Sequence, residues 1–261
     1  MIVIKNKAAI RKMEEAGRLL ALLFQELSDK VVAGVSTLTL DEFIAALLKN
    51  KGLQSRTKGY MGYSHVSCIS LNDEVVHGIP HKNRIVAEGD LVKIDVCASL
   101  DGHCADMARS FLVGKTSAEA QRLVAVACQA LEKGIEKMRA GNRLGDVSAA
   151  IQQEVESHGF GVIRDFAGHG IGRSMHEDPE ILNYGEPHQG PVLRAGMTFA
   201  LEPMITLHDF KVFVADDGWT VKTLDKSLAA HVEDTVLVTD AEPRVLTRLS
   251  GETSVQKVPF L

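Results

Sequence analysis

The sequence predicts an α+β fold with an antiparallel sheet. Three observations carry that expectation. Four segments carry helix signals of apolar spacing, start or stop, seven runs favour β-branched and apolar residues, and an Asp-Gly pair joins two of those runs as a hairpin.

Residues 7–27 open the chain as a helix, because Ile10, Met13, Ala16, Gly17, Leu20 and Phe24 share one face. Thr39, with Glu42 three residues on, is a helix-start signature, and that helix runs to about Lys49 and closes at Gly52. Strands are predicted over 66–71, 91–100 and 103–113. Ser117-Ala-Glu-Ala120 starts a third helix reaching about Arg139, and 145–158 form a fourth, ended by Gly159. The runs 197–207, 212–215, 219–223 and 231–238 complete the strands. No Ser/Gly-rich linker divides the chain, so residues 1–261 are expected to form a single domain, each half holding helices plus a carboxylate-bearing hairpin.

Composition narrows the function classes. Of 261 residues, 45% are hydrophobic and 24% charged, ordinary for a soluble globular protein, and the net charge of −5 argues against a sequence-specific nucleic-acid binder. A local basic patch that touches ribosomal RNA stays compatible with it. No apolar stretch is long enough to cross a bilayer. Lys5, Lys7, Arg11 and Lys12 precede only a short apolar run followed by Gln25 and Glu26, unlike a secretory signal. Cys68, Cys97, Cys104 and Cys128 form no CxxC pair and read as thiols in a reducing, cytoplasmic setting.

The chemistry starts in residues 93–106. A two-residue turn at Asp101-Gly102 pairs Leu100 with His103, Ala98 with Ala105, and Cys97 with Asp106. Side chains alternate faces, so Asp95 joins Cys97 and Asp106 on one face, and the two aspartates become diagonal neighbours. Two carboxylates so close, amid apolar residues, need a shared proton, a basic side chain or a metal; a slipped register would instead send one to solvent.

Further segments add to the set. His169 is flanked by glycines in Gly168-His-Gly-Ile-Gly172, and His176 follows seven residues later. Glu202 and Glu233 each sit in an apolar run, and His77 precedes a Gly-Ile-Pro turn. Each alone is weak, since a lone histidine is more often a satisfied core residue than a ligand. Together, four carboxylates and an imidazole in apolar or glycine-rich surroundings ask for pairing or metal. The set is mainly hard oxygen with no thiolate, which suits Mn, Fe, Co or Zn. Four carboxylates can hold two divalent ions about 3.5–4 Å apart, the spacing of hydrolytic pairs.

The ordered residues His77, Asp95, Asp106, His169, His176, Glu202 and Glu233 resemble those of the pita-bread metallopeptidases, specifically the type I methionine aminopeptidases. The matching stretches are Cys68-Ile-Ser-Leu-Asn72, Val76-His-Gly-Ile-Pro80, Gly168-His-Gly-Ile-Gly-Arg173, Leu201-Glu-Pro-Met204 and His231-Val-Glu-Asp-Thr235. The resemblance implies the pita-bread fold, a curved antiparallel sheet backed by helices with pseudo-twofold symmetry, and two divalent ions on Asp95, Asp106, His169, Glu202 and Glu233, with Asp106 and Glu233 bridging. It implies that a metal-bridged water attacks the first peptide bond of an N-terminal methionine followed by a small residue. Glu202 would also shuttle the proton, His77 would hydrogen-bond the scissile amide, and His176 would stabilise the developing oxyanion.

Tyr60, Tyr63, Cys68, Met175 and Trp219, with His77 and His176, match the substrate-binding positions. Met175 stands where the family commonly has an aromatic residue. Cys97 stands where threonine is common and reads as a small buried residue facing Asp106. The implied partners are the N-termini of nascent polypeptides and the ribosome near its exit tunnel, with the protein acting as a monomer. The competing expectations are an Xaa-Pro peptidase of the same fold and a non-catalytic pita-bread binding protein. The first usually carries an added N-terminal domain, whereas the residues before Tyr60 read as two helices. The second typically lacks several ligands.

Overall fold

A computed structural model describes residues 1–249 and 251. Residues 250 and 252–261, the end of the expected domain, lie outside the described residues. Helix α1 (Lys7–Ser28) begins where Asn6 Oδ1 accepts from the Ala8 and Ala9 N–H groups, and it buries Met13, Leu20, Phe24 and Leu27. Helix α2 (Thr37–Asn50) starts earlier than the Thr39–Glu42 signature predicts. Ser36 is the cap: its Oγ accepts from the Thr39 N–H at 3.0 Å, and the Thr39 hydroxyl pairs with Ser36 instead of capping. The Thr37 N–H is held by the Arg84 carbonyl, which fixes the chain at that entry.

Strands β1 (Gln54–Ser55), β2 (Cys68–Leu71), β3 (Glu74–Val76), β4 (Leu91–Leu100) and β5 (His103–Leu112) complete the first half. The second repeats the plan: helices α3 (Ala118–Lys137) and α4 (Leu144–Ser157) precede β6 (Gly161–Val162), β7 (Gly168–Gly170), β8 (Glu177–Ile181), β9 (Thr198–Leu201) and β10 (Met204–Thr206). After these come β11 (Val212–Val214), β12 (Val221–Thr223), β13 (Ala229–His231), β14 (Glu233–Leu237) and β15 (Arg244–Val245). The main sheet runs β1-β4-β5-β14-β9-β7-β8, with β2 on β4 and β15 on β14, and its pairs are antiparallel. The halves meet where β5 pairs with β14, Ala108 opposite Glu233.

Each half has its own apolar cluster between helices and sheet. Leu20, Leu23 and Phe24 of α1 pack with Ile94, Val96, Ala105 and Met107 of the β4–β5 hairpin. Leu131 and Ile135 of α3 and Val147 and Ile151 of α4 pack with Phe199, Leu201 and Val236. Period-two alternation then decides everything about the other face. With Ile94, Val96 and Met107 turned to the helices, Asp95, Cys97 and Asp106 are turned away from them. With Val236 turned to α3 and α4, so are Glu233 and Thr235. The hairpin register is as predicted, Cys97 opposite Asp106 and Leu100 opposite His103, closed by Asp101 (φ 48°) and Gly102 (φ 71°).

Two expectations are corrected. The run 197–207 is two strands, broken at Glu202-Pro203, with β9 in the main sheet and β10 in a small sheet with β13 and β6. Pro203 has no N–H to continue a ladder, and the break leaves Glu202 outside both strands. Trp219 lies not in a strand but in the turn before β12.

Behind the sheet, Asp234 faces away from Glu233 and is fully buried. Arg109 Nη2 donates to its Oδ1 at 2.7 Å and Arg248 Nε to its Oδ2 at 2.8 Å, while Arg109 Nη1 also donates to the Glu233 carbonyl at 2.6 Å. Burial opposes ionisation of Asp234, but the two guanidinium groups overcome it and hold the carboxyl below the usual carboxylate range. Removing one partner of such a cluster leaves buried charge uncompensated. Asp234→Ala is therefore expected to lower stability by about 3–5 kcal/mol, read by urea unfolding.

Candidate metal centre and peptide cleft

All twelve residues singled out from the sequence line one cavity of about 210 Å³, together with Thr57, Met61 and Cys97. β4 and β5 supply Asp95 and Asp106 to its floor, β7 supplies His169, the β9–β10 break Glu202, and β14 Glu233. The glycines around His169 have a steric reason. A Cβ on Gly168 would lie 2.5 Å from the Ala200 carbonyl oxygen, and one on Gly170 2.2 Å from that of Asp178, so only glycine lets β7 sit between β9 and β8 here.

Asp106, His169 and Glu233 each offer a ligand atom within 4.8 Å of the others. Glu202 Oε1 stands 3.6 Å from His169 Nε2, and Asp106 Oδ2 3.9 Å from the same nitrogen. Asp95 stands opposite Ala108 on the hairpin, on the face that carries Asp106, and the two carboxyls are close enough for Asp106 to oppose ionisation of Asp95. His169 Nδ1 lies 3.0 Å from the Gly170 carbonyl, which accepts only a proton-bearing nitrogen and so leaves Nε2 bare and turned to the carboxylates. Burial, then the neighbouring His176, lowers its pKa to about 3, keeping the ring neutral.

The carboxylates are uncomfortable without a cation. Burial pushes Asp106 up to about 7 and Glu202 up to about 8. Burial, then Asp106, drives both Asp95 and Glu233 well above the carboxylate range. Glu233 Oε1 is buried with no hydrogen-bond partner among the described residues. Four crowded acids, one bare imidazole nitrogen and an orphaned carboxylate oxygen fit a divalent cation of oxygen and nitrogen preference.

Aromatic groups wall the rest of the cavity. Tyr63 and Trp219 meet edge to face at 5.0 Å, and the Tyr63 hydroxyl donates toward the Ser67 and Gly78 carbonyls at 3.1 and 3.0 Å. Cys68 stands opposite Asp95 across the strands, and Met175 packs beside Cys97 and Ile171. None of the four cysteines forms a disulfide. His77 leaves β3 with a left-handed backbone (φ 60°) and packs on Phe166 at 5.6 Å; burial, then His231 and His176, lowers its pKa to about 4. His176 Nδ1 lies 2.8 Å from the Tyr60 hydroxyl. Past these residues the cavity opens into an outer cleft of about 580 Å³, whose walls add Arg164, Asp165, Asp178, Glu180 and Leu182.

Sequence reading missed three parts of this arrangement. The outer cleft comes from charged, half-exposed residues that resemble ordinary surface. His231 lies inside the stretch that carries Glu233, and nothing in its spacing marks the ring, although its Nε2 reaches within 3.5 Å of Glu202 Oε2. Lys5 reads in the sequence only as N-terminal charge. It is buried, and its Nζ donates to Glu177 Oε2 at 2.8 Å, while Glu177 Oε1 accepts from the Arg173 and Ser174 N–H groups and so fixes the loop before His176. Burial opposes ionisation of Glu177, and Lys5 with those N–H groups reverses it. Lys5→Met, which keeps the stem and removes the charge, is expected to cost about 3 kcal/mol in urea unfolding, at the low end for a buried pair because Glu177 keeps its backbone donors.

A model of Metallopeptidase family M24 matches residues 11–240. The chain belongs to this family. Among M24 proteins it is 44% identical over 247 residues to the methionine aminopeptidase of Clostridium acetobutylicum, covering 95% of this chain and 99% of that protein. It is 39% identical over 249 residues to methionine aminopeptidase 1 of Bacillus subtilis, covering 95% and 100%. The crystal structure of a methionine aminopeptidase from Thermotoga maritima matches with a TM-score of 0.94 at 44% identity, over 95% of this chain and 100% of that one. The M24 chain thus sits among the methionine aminopeptidases and has their pita-bread fold. A prolidase from Pyrococcus furiosus shares the fold alone, at a TM-score of 0.77, 22% identity and 66% of its length. Membership in a metallopeptidase family implies use of a divalent metal, for which Asp106, His169 and Glu233 form a candidate site.

Proposed function

We propose that this M24 chain removes the initiator methionine from protein N-termini, using two divalent ions held by Asp95, Asp106, His169, Glu202 and Glu233. One observation carries the reading: the buried carboxylate cluster, with its unpartnered Glu233 Oε1, lies in the same cavity as a sulfur-compatible wall of Tyr63, Trp219, Cys68 and Met175. Aromatic and thiol surfaces suit a methionine side chain, and the acids beneath suit metal-assisted hydrolysis of the next bond.

Bound ions would supply Lewis-acid polarisation of the scissile carbonyl and acidify water. Glu202 would take the proton of the attacking water on a carboxylate oxygen and pass it to the leaving amine. His77 would hydrogen-bond the scissile amide and His176 the oxygen on which charge develops, with Tyr60 donating to His176 Nδ1 and orienting its ring. The second residue of the substrate would pass between His77, His169, His176 and Glu202, which border both the cavity and the outer cleft; that passage supports a preference for a small residue.

We further propose one catalytic domain over residues 1–261, acting as a monomer on nascent chains near the ribosome exit, in the cytoplasm. No helix among the described residues is long and apolar enough to cross a membrane. The test is hydrolysis of Met-Ala-Ser and Ala-Pro-Ser by metal-stripped protein reloaded with Mn, Fe, Co or Zn, with bound metal counted per chain. Metal-dependent methionine release with two ions per chain is expected. Cleavage before proline would move the specificity to Xaa-Pro peptidases, and silence with every metal would leave a binding protein.

A further inference from the structure

His231 closes β13, two residues before Glu233, and is 1% exposed. Its backbone is pinned on both sides by Ser110, whose Oγ accepts from the His231 N–H at 3.2 Å and donates to its carbonyl at 2.8 Å. The ring nitrogen Nε2 is buried and has no hydrogen-bond partner among the described residues, yet it stands 3.5 Å from Glu202 Oε2. The other oxygen of Glu202 stands 3.6 Å from His169 Nε2. Two imidazoles therefore bracket one carboxylate, one at each oxygen.

The two rings differ in what they present. His169 gives its proton to the Gly170 carbonyl through Nδ1, so the nitrogen facing Glu202 is a bare lone pair. His231 has no such constraint on its Nε2. A bare Nε2 there would set a lone pair against a carboxylate oxygen, whereas a protonated one meets a ready acceptor and loses its orphan status. The Glu202 side chain needs such a partner. It leaves a strand break, where its carbonyl is tied by Asn183 Nδ2 at 3.0 Å. Among the described residues no backbone group is hydrogen-bonded to the carboxylate to set its rotation.

We propose that His231 is a positioning residue for the reaction: its Nε2–H donates to Glu202 Oε2 and holds the carboxylate in the one rotation that keeps Oε1 turned to the metal side of the cavity. This rests on the reading of Glu202 as the proton carrier. A carboxylate free to swing would present its oxygens in the wrong geometry for part of the time, which lowers turnover more than substrate capture.

The test uses zinc-loaded enzyme as wild type, His231→Gln and His231→Leu. His231→Leu is expected to lower kcat for Met-Ala-Ser by about 10–100-fold with KM changed less than about twofold. His231→Gln, whose amide N–H reaches the same oxygen, is expected to recover most of that loss. A long-range proton–nitrogen spectrum of the zinc-loaded wild type should show His231 as the Nε2–H tautomer. A kcat for His231→Leu within about twofold of wild type, or no recovery in His231→Gln, overturns the proposal. So does an Nδ1–H tautomer or a metal-bound Nε2, and the spectrum decides alone if the leucine variant fails to fold. Wild type that releases no methionine with any metal would overturn the function instead. Active wild type with Glu202→Gln inactive and His231→Leu unimpaired would overturn only the role of His231.

Discussion

Glu202→Gln is expected to lower kcat for methionine release by about 10²–10⁴-fold, the range for loss of a general base, with a much smaller change in KM. The substitution keeps volume, shape and one oxygen, so the cavity wall formed by Tyr63, Trp219 and Met175 is untouched. What disappears is the ability to accept a proton, together with one charged ligand, so bound metal is counted per chain and kcat is compared at full loading. In the metal-free chain burial raises the Glu202 pKa to about 8. At pH 9, above that value, glutamine also removes one negative charge from a crowded set, so there the metal-free variant should unfold at a higher temperature than metal-free wild type. Lower activity with higher metal-free stability separates a lost proton carrier from a damaged fold. Glu136→Gln, on the exposed face of α3, is the matched control and should keep kcat within about twofold. A Glu202→Gln enzyme that turns over at the wild-type rate would remove Glu202 from the chemistry.

The site was legible in the sequence to the extent that local rules build it. The Asp101-Gly102 turn fixes its own register, and register alone decides that Asp95 and Asp106 share a face. The glycines around His169 announced a close approach that the Ala200 and Asp178 carbonyls explain. Long-range partnerships left no such trace. Asp234 meets Arg109 across 125 residues and Lys5 meets Glu177 across 172, and no spacing rule links them. Strand β8, Glu-Asp-Pro-Glu-Ile, reads as loop because charge and proline oppose a strand, and only pairing with β7 makes it one. Ser36 and Thr39 satisfy the same capping rule, so the choice between them rests on where Arg84 holds Thr37. The break at Glu202-Pro203 is the instructive case. Pro203, which has no N–H for a ladder, is a local reason to end a strand inside 197–207, but that Glu202 leaves both strands to meet His169 and His231 depends on two sheets that the sequence places far apart.

Above about pH 7, where the buried neutral rings of His77, His169 and His231 no longer change stability with pH, removing metal is expected to make stability fall as pH rises, the reverse of what an ordinary set of paired carboxylates would do. In the metal-free folded chain Asp106 ionises near 7 and Glu202 near 8, and Asp95 and Glu233 lie well above the usual range, all because of burial first. Each group therefore binds a proton more tightly folded than unfolded. The stability this confers is complete below the unfolded carboxylate range, near pH 4, and is lost as pH rises through the folded values. Divalent ions act in the opposite sense, because they compete with those protons and bind the ionised ligands more tightly at higher pH. At about 100 times the dissociation constant a bound ion contributes about 2.7 kcal/mol, and one kcal/mol moves the midpoint of a chain this size by about 2–4 °C. The melting midpoint with metal minus that with chelator is thus expected to be small at pH 5 and about 5–10 °C at pH 8. Asp106→Asn should flatten the metal-free pH profile and abolish most of the metal-induced shift, because it removes both a strained acid and a ligand. A gap that is constant with pH would mean that cations are not what balances these four acids. A gap that widens with pH and closes in Asp106→Asn ties the burial of the acids directly to the metal they are built to hold.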